Sequence, residues 1–266
     1  MKLFKKIFIM ISLIVALVYL FVASSLGYIP VVSKWLGTDK PKDLGIRYTA
    51  EDKASARAKS QLEYLELPAD TPVEESIVRK GSRPVTTSWS SAEMTALLND
   101  RPWKYWPINN VQLKINDDGT AELSGILNKE KFGNYATAIG IPATIAKSAA
   151  TFMPANSAFY VRAKTSLENN EVKDFDLQSI TYGKIKIPAS MILSYNSNKM
   201  ISSADAASAT DPFSDVVKFG SKKEAIINFI NDRLSLITGF FAKTAYFKDG
   251  KLNFDGTLSQ SEATVR

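Results

Sequence analysis

The sequence predicts an α+β protein: an N-terminal transmembrane helix, followed by curved antiparallel β-hairpins packed on two helices. Three observations carry that expectation. An uncharged run from Ile7 to Gly27 follows Lys2, Lys5 and Lys6. Three pairs of alternating apolar runs flank turns rich in Asn, Asp and Gly, the strongest short-range hairpin signal a sequence offers. Segments with helical apolar period lie between those pairs. An apolar fraction of 45% over 266 residues is ordinary for a folded protein.

The first element is the apolar run. At about 1.5 Å per residue, some 20 residues cross a hydrocarbon core roughly 30 Å thick. The lysines ahead of it keep residues 1–6 cytoplasmic, which places residue 28 onward outside the cell membrane. A cleaved signal peptide is the alternative, with Val22-Ala23-Ser24 supplying small residues near a cleavage point. Both readings export the remainder of the chain.

Residues 28–83 read as a tether, punctuated by Pro30, Gly37, Pro41, Gly45, Pro68, Pro72 and Gly81. Within it, Thr49 followed by Asp52 marks a helix start, and one short helix is expected over 51–65. Its narrow apolar face would be Ala54, Ala58, Leu62 and Leu65.

The extracytoplasmic domain is expected over 84–266. Ser90 with Glu93 makes a capping box for a helix over 92–99, with Met94, Leu97 and Leu98 inward. The hairpins are centred on Asp117-Asp118-Gly119, Asn169-Asn170 and Asp249-Gly250. Gly125 and Gly256 each lie six residues beyond a turn glycine, so the first and third hairpins share a pattern and are expected to bend at the same place. Residues 132–160 carry a single charge, Lys147, and read as a helix apolar almost all round. Residues 222–237 form an amphipathic helix with Ile226, Phe229, Ile230, Leu234 and Ile237 on one stripe, and 202–215 read as a polar loop.

Composition narrows the chemistry. There is no cysteine and no histidine, which removes disulfides, thiolate chemistry, the commonest zinc ligands and the usual general base near neutral pH. The S-x-x-K, G-x-S-x-G, P-loop and H-E-x-x-H patterns do not occur. No catalytic residue, metal ligand or cofactor is therefore expected. The net charge of +6 is spread along the chain without a dense basic block, so no nucleic-acid partner is expected either.

Two apolar features stand out. The cluster Arg101-Pro102-Trp103-Lys104-Tyr105-Trp106-Pro107 suits a membrane interface at Trp103, Tyr105 and Trp106, a sugar platform, or a loop packed over one end of the core. The segment 132–160 is either plain core or, with the later helix, one wall of an apolar cavity. In the second case Ile139, Ile141, Ile145, Phe152, Ile226, Phe229, Ile230 and Leu234 would line the ligand site.

The stretch Lys40-Pro41-Lys42-Asp43-Leu44-Gly45-Ile46-Arg47-Tyr48-Thr49, the helix from Ser91 to Asn99 and the hairpin from Val111 to Gly125 resemble uncharacterised membrane-anchored envelope proteins of candidate-phylum bacteria. With Gly183-Lys184-Ile185-Lys186-Ile187-Pro188 and the D-G-x-L-x-x-x-G pattern from Asp249 to Gly256, residues 85–260 also resemble the YpmS-like relatives of tubular lipid-binding domains. That resemblance implies a long helix cradled by a curved sheet with an apolar groove for lipid tails, and it brings no catalytic residues. Two functions follow as expectations. One is a membrane-anchored module binding a lipid or other hydrophobic ligand at the cell envelope. The other is a structural or protein-interaction module with an envelope partner and no cavity.

Overall fold

The computed structural model describes residues 2–151, 153–154, 156–188 and 222–266, without the side chains of residues 2–11, Pro30, Ile145, Ser148, Ala149 and Lys222. The expected loop over 202–215 lies outside the described residues. The fold is α+β with a curled antiparallel sheet.

Chain order begins with helices α1 (Lys2–Leu26), α2 (Pro30–Leu36) and α3 (Ala50–Ser60), then strands β1 (Glu63–Glu66), β2 (Ile77–Lys80) and β3 (Arg83–Ser90). Helix α4 (Ser91–Asn99) leads to the hairpin β4 (Ile108–Ile115) and β5 (Thr120–Leu127), then to helices α5 (Lys129–Ala138) and α6 (Ala143–Thr151). The hairpin β6 (Ser157–Glu168) and β7 (Glu171–Tyr182) ends in the short strand β8 (Ile185–Ile187). Helix α7 (Lys222–Ser235), the hairpin β9 (Phe241–Lys248) and β10 (Lys251–Leu258), and β11 (Ser261–Thr264) complete it.

All three expected hairpins form, for the reasons read in their turns. Asn169 and Asn170 both have positive φ, as do Asp249 and Gly250, which is the conformation a two-residue turn needs to match strand twist. Both strand glycines sit at irregularities. Gly256 falls at the register shift between β9 and β10, where a Cβ would lie 2.0 Å from the Phe241 carbonyl oxygen. Gly125 faces the shift between Asn109 and Gln112 on β4. These bends help to curl the sheet.

The curl has a specific topology. Strand β7 occupies one edge of β6 along most of its length. The other edge is shared end to end, by β5 along residues 157–164 and by β9 along 166–168. One wing is therefore β5–β4 and the other β9–β10–β3. Helix α4 connects the two outermost strands, β3 and β4, and fills the concavity between the wings. Met94 and Leu97 pack on Val85, Trp89, Ala242, Ala245 and Phe254; Met94 and Leu98 pack on Leu113, Ile115 and Ala121.

Helix α4 also closes the exposed edge of β4. Ser91, Thr95 and Asn99 repeat every fourth residue, a rise of about 6 Å, close to the two-residue repeat of about 6.8 Å along an antiparallel strand. Ser91 Oγ accepts from the Ile115 N–H at 2.9 Å. Thr95 Oγ1 accepts from the Leu113 N–H at 2.9 Å and donates to its carbonyl at 3.3 Å. The Asn99 amide does the same for Val111, at 2.9 and 2.8 Å. A polar stripe on a helix thus replaces a neighbouring strand, which protects an otherwise open edge.

Several expectations are corrected. The resemblance implies a long helix in the bend, but the nine-residue α4 sits there, because its two faces match both the apolar wings and the strand edge. Residues 28–83 are not a plain tether. They contribute α2, α3 and two strands of a second sheet, in which β11 pairs parallel with β1 and antiparallel with β2. The expected helix over 51–65 stops at Ser60 with Gln61 in the left-handed conformation, and 63–66 is strand. Its buried residues are Ala56 and Ser60; Ala54 and Ala58 are exposed. The face is chosen by Trp89, whose indole reaches the Ala56 carbonyl, and by the Lys59–Glu93 ion pair at 2.6 Å. The helix expected over 132–160 is instead two, ending at Ala138 and Thr151 and divided at Gly140 with φ +86° and at Pro142, and residues 157–160 already belong to β6.

Among the described residues, no helix is long and apolar enough to cross a membrane. The part of α1 with described side chains, Ser12 to Leu26, rises about 22 Å.

Candidate functional site: the corner where the first helix meets the sheet

A helix leaves its last carbonyls without intrahelical partners. In α1 these carbonyls are taken up by the protein that follows. The Ser24 carbonyl accepts from Ser33 Oγ at 2.7 Å. The Ser25 carbonyl accepts from the Lys184 N–H at 2.8 Å, and the Leu26 carbonyl from Ser157 Oγ at 2.9 Å. Ser24 and Ser25 are buried as a result. The helix end is thereby fixed to the corner made by the start of β6 and the end of β7.

Two glycines permit this approach. Gly27 has φ +104°, and a Cβ there would stand 2.6 Å from Ser157 Oγ. Gly183 has φ +59°, and a Cβ would meet the Ser25 carbonyl oxygen at 2.2 Å. The chain continues in contact with the sheet: the Thr38 carbonyl accepts from the Ala158 N–H at 2.9 Å, and Leu44 is buried. Gln112 Oε1 then takes the N–H groups of Leu44 and Ile46 at 2.9 and 3.2 Å. Nearby, Glu122 accepts from Tyr160 at 2.7 Å and from Lys42 at 3.3 Å. Burial alone would push its carboxyl up, but Tyr160, Asn116 and Lys42 together hold it below the usual glutamate value. The cluster is a charged clasp for the strap over residues 40–48.

The expected wall residues divide between α5–α6 and α7. Ile139 and Ile141 flank the break between α5 and α6, and both are half-buried. Ile226, Phe229, Ile230 and Leu234 are half-buried on α7. Arg233 joins the two sets by donating to the Ile139 carbonyl at 2.9 Å. Gly140 leaves room for that guanidinium, since a Cβ would lie 2.9 Å from it. Asn231 Oδ1 fixes α7 to the sheet by accepting from the Val172 N–H at 2.8 Å. The side chain of Ile145 and the whole of Phe152 lie outside the description. Pro154, just beyond α6, is 3.4 Å from a Cβ placed on Gly27, so the end of α6 lies beside the end of α1.

The aromatic cluster does not form the expected rim. Trp103 is 4% exposed and donates to Ser76 Oγ at 3.3 Å. Trp106 donates to the Leu98 carbonyl at 2.9 Å, and Tyr135 packs against both indoles at 5.5 and 5.8 Å. Tyr105 is half-buried, with Lys104 over its ring. The two indole N–H groups find protein acceptors, so the tryptophan rings join α4, α5 and the second sheet. Arg101, stacked over Trp106, closes the cluster by pairing with the buried Glu262, which Arg79 also contacts.

An open groove of about 330 Å³ lies where β5 and β9 part on β6. Its lining mixes Lys164, Glu168, Lys173 and Asp174 with Leu167 and Phe247, and it contains none of the expected ligand-site residues. Among the described residues there is no grouping of acidic side chains able to hold a metal ion.

Sequence reasoning missed α2. Tyr28, Val31, Val32 and Trp35 are exposed, Val31 at 82% and Trp35 at 87%. The available signal was an apolar segment with Pro at its first turn, immediately after the long apolar run. These features define an α+β protein whose first helix is hydrogen-bonded to a curled sheet. Comparison with family profiles, curated proteins and solved structures gives no match.

Proposed function

We propose that this is a single-pass, membrane-anchored extracytoplasmic module that binds a lipid or similar hydrophobic ligand at the cell envelope, without catalysis. The apolar run from Ile7 to Gly27 would cross the bilayer, with Lys2, Lys5 and Lys6 on the cytoplasmic side. The observation that carries the reading is the docking of Ser24, Ser25 and Leu26 on Ser33, Lys184 and Ser157. With its base held this way, the domain would rest on the membrane surface, and the half-buried layer of Ile139, Ile141, Ile226, Phe229, Ile230 and Leu234 would lie within reach of lipid. Apolar burial at about 25 cal/mol per Å² would supply affinity without a charged anchor.

A second reading, a structural or protein-interaction module of the envelope, is favoured by α4. It fills the concave side of the sheet, leaving the ligand only the layer beneath α7.

The test uses the full chain, because a version beginning at residue 84 would lose α3, β1 and β2. Native mass spectrometry after transfer to lipid-free detergent should show a retained lipid, and Ile230→Asn should lose it. Protein that is empty in both forms, with no thermal stabilisation by added phospholipid, would leave the scaffold reading in its place.

A further inference from the structure

We infer that α2 lies in the headgroup region of the outer leaflet, with Trp35 as its aromatic anchor. The inference rests on the anchor reading of α1 and deepens it by naming the surface that meets the lipid.

Three residues separate α1 from α2, which folds against the last turn of α1. Ser33 Oγ donates to the Ser24 carbonyl, and Ser33 is buried. That contact fixes the rotation of the helix. Val31 and Trp35, four residues apart, share the face turned away from α1 and from the sheet, where they are 82% and 87% exposed. Val32 and Tyr28 extend the patch at 40% and 47%. Lys34 is exposed beside them.

The occupant of this face is set by continuity. The described side chains of α1 from Leu13 to Val22 are exposed and apolar, Tyr19 and Phe21 among them, and would contact lipid acyl chains. Helix α2 follows where that surface ends, which is the depth at which the interface begins. Tryptophan and tyrosine favour that depth because their rings are apolar and their N–H and O–H groups reach water. Lysine beside them suits anionic headgroups. The role expected of Trp103, Tyr105 and Trp106 thus passes to Trp35 and Tyr28.

The experiment reconstitutes the full chain in phosphatidylcholine–phosphatidylglycerol vesicles carrying a nitroxide either near the glycerol backbone or at the acyl-chain end. Tryptophan emission should be quenched more by the shallow label than by the deep one. Trp35→Phe should lose most of that quenching, with an unchanged melting temperature. If Trp35→Phe is quenched as strongly as the parent, or if Trp35 instead crosslinks to a second copy or another protein, the inference is overturned. Failure of the anchor reading is separately visible, because the protein would then not float with the vesicles or would be released by alkaline carbonate.

Discussion

Gly183→Ala probes the joint between α1 and the sheet. A Cβ at this position would lie 2.2 Å from the Ser25 carbonyl oxygen, about 1 Å inside ordinary contact, and the φ of +59° adds the left-handed penalty. The penalty for alanine is about 1 kcal/mol. Moving Ser25 away also breaks its hydrogen bond from Lys184, which contributes about 1 kcal/mol, and strains the neighbouring Ser157–Leu26 bond. The expected loss is about 2–3 kcal/mol, confined to the corner, or roughly a 30- to 150-fold rise in local opening. Hydrogen exchange should speed up by that order at the amides of Lys184, Ala158 and residues 27–38, while β9 and β10 hold their protection. Gly45→Ala is the control. It carries the same left-handed strain at φ +74°, with nothing within 4 Å of its Cβ. Equal exchange at the corner in the two variants would refute the docking argument.

Two further outcomes follow from buried polar contacts. Thr95→Val keeps the shape of a residue 1% exposed but strips both hydrogen bonds from Leu113, so unfolding in denaturant should show a loss of about 1–3 kcal/mol, with Thr95→Ser largely restoring it; a change within experimental error for Thr95→Val would contradict the edge-closing role of α4. For Glu93, burial raises the carboxyl pKa, but Lys59, Ser55 and the Ser90 N–H outweigh burial and hold it below the ordinary value of 4.5. A depressed folded-state pKa gives stability that is present above that value and is lost as pH falls below it through the folded-state pKa. Glu93→Gln should therefore flatten the acid limb of a stability–pH curve, and an unchanged limb would show that the Glu93 network is not its source.

The elements were legible in the sequence where local chemistry decided them. The turns at Asn169-Asn170 and Asp249-Gly250, the capping box of Ser90 with Glu93, and the bends at Gly125 and Gly256 all follow from short-range rules. Their assembly was not legible. The stripe Ser91, Thr95 and Asn99 reads as ordinary helix surface until β4 is placed beside it. Strands β1 and β2 looked like tether because their partner, β11, lies nearly two hundred residues later in the chain. Of the candidate site, the apolar residues of 139–141 and 226–234 were identifiable by composition and period, and the contact from Arg233 to Ile139 required the fold. Trp103 and Trp106 misled because aromatic content does not reveal whether an indole N–H will meet water or a protein acceptor. Trp35 escaped because Pro30 and Gly37 read as punctuation, although Pro30 is the first residue of a helix that Gly37 caps.

The most direct measurement is photo-crosslinking of the full chain in vesicles that contain a diazirine-bearing phospholipid, with adducts mapped by mass spectrometry. Binding beneath α7 predicts adducts at Ile226, Phe229, Ile230, Leu234 and the Ile139–Ile141 segment, beyond those on α1. Adducts confined to α1 and α2 would contradict it, leaving a membrane-held scaffold with no lipid in the domain.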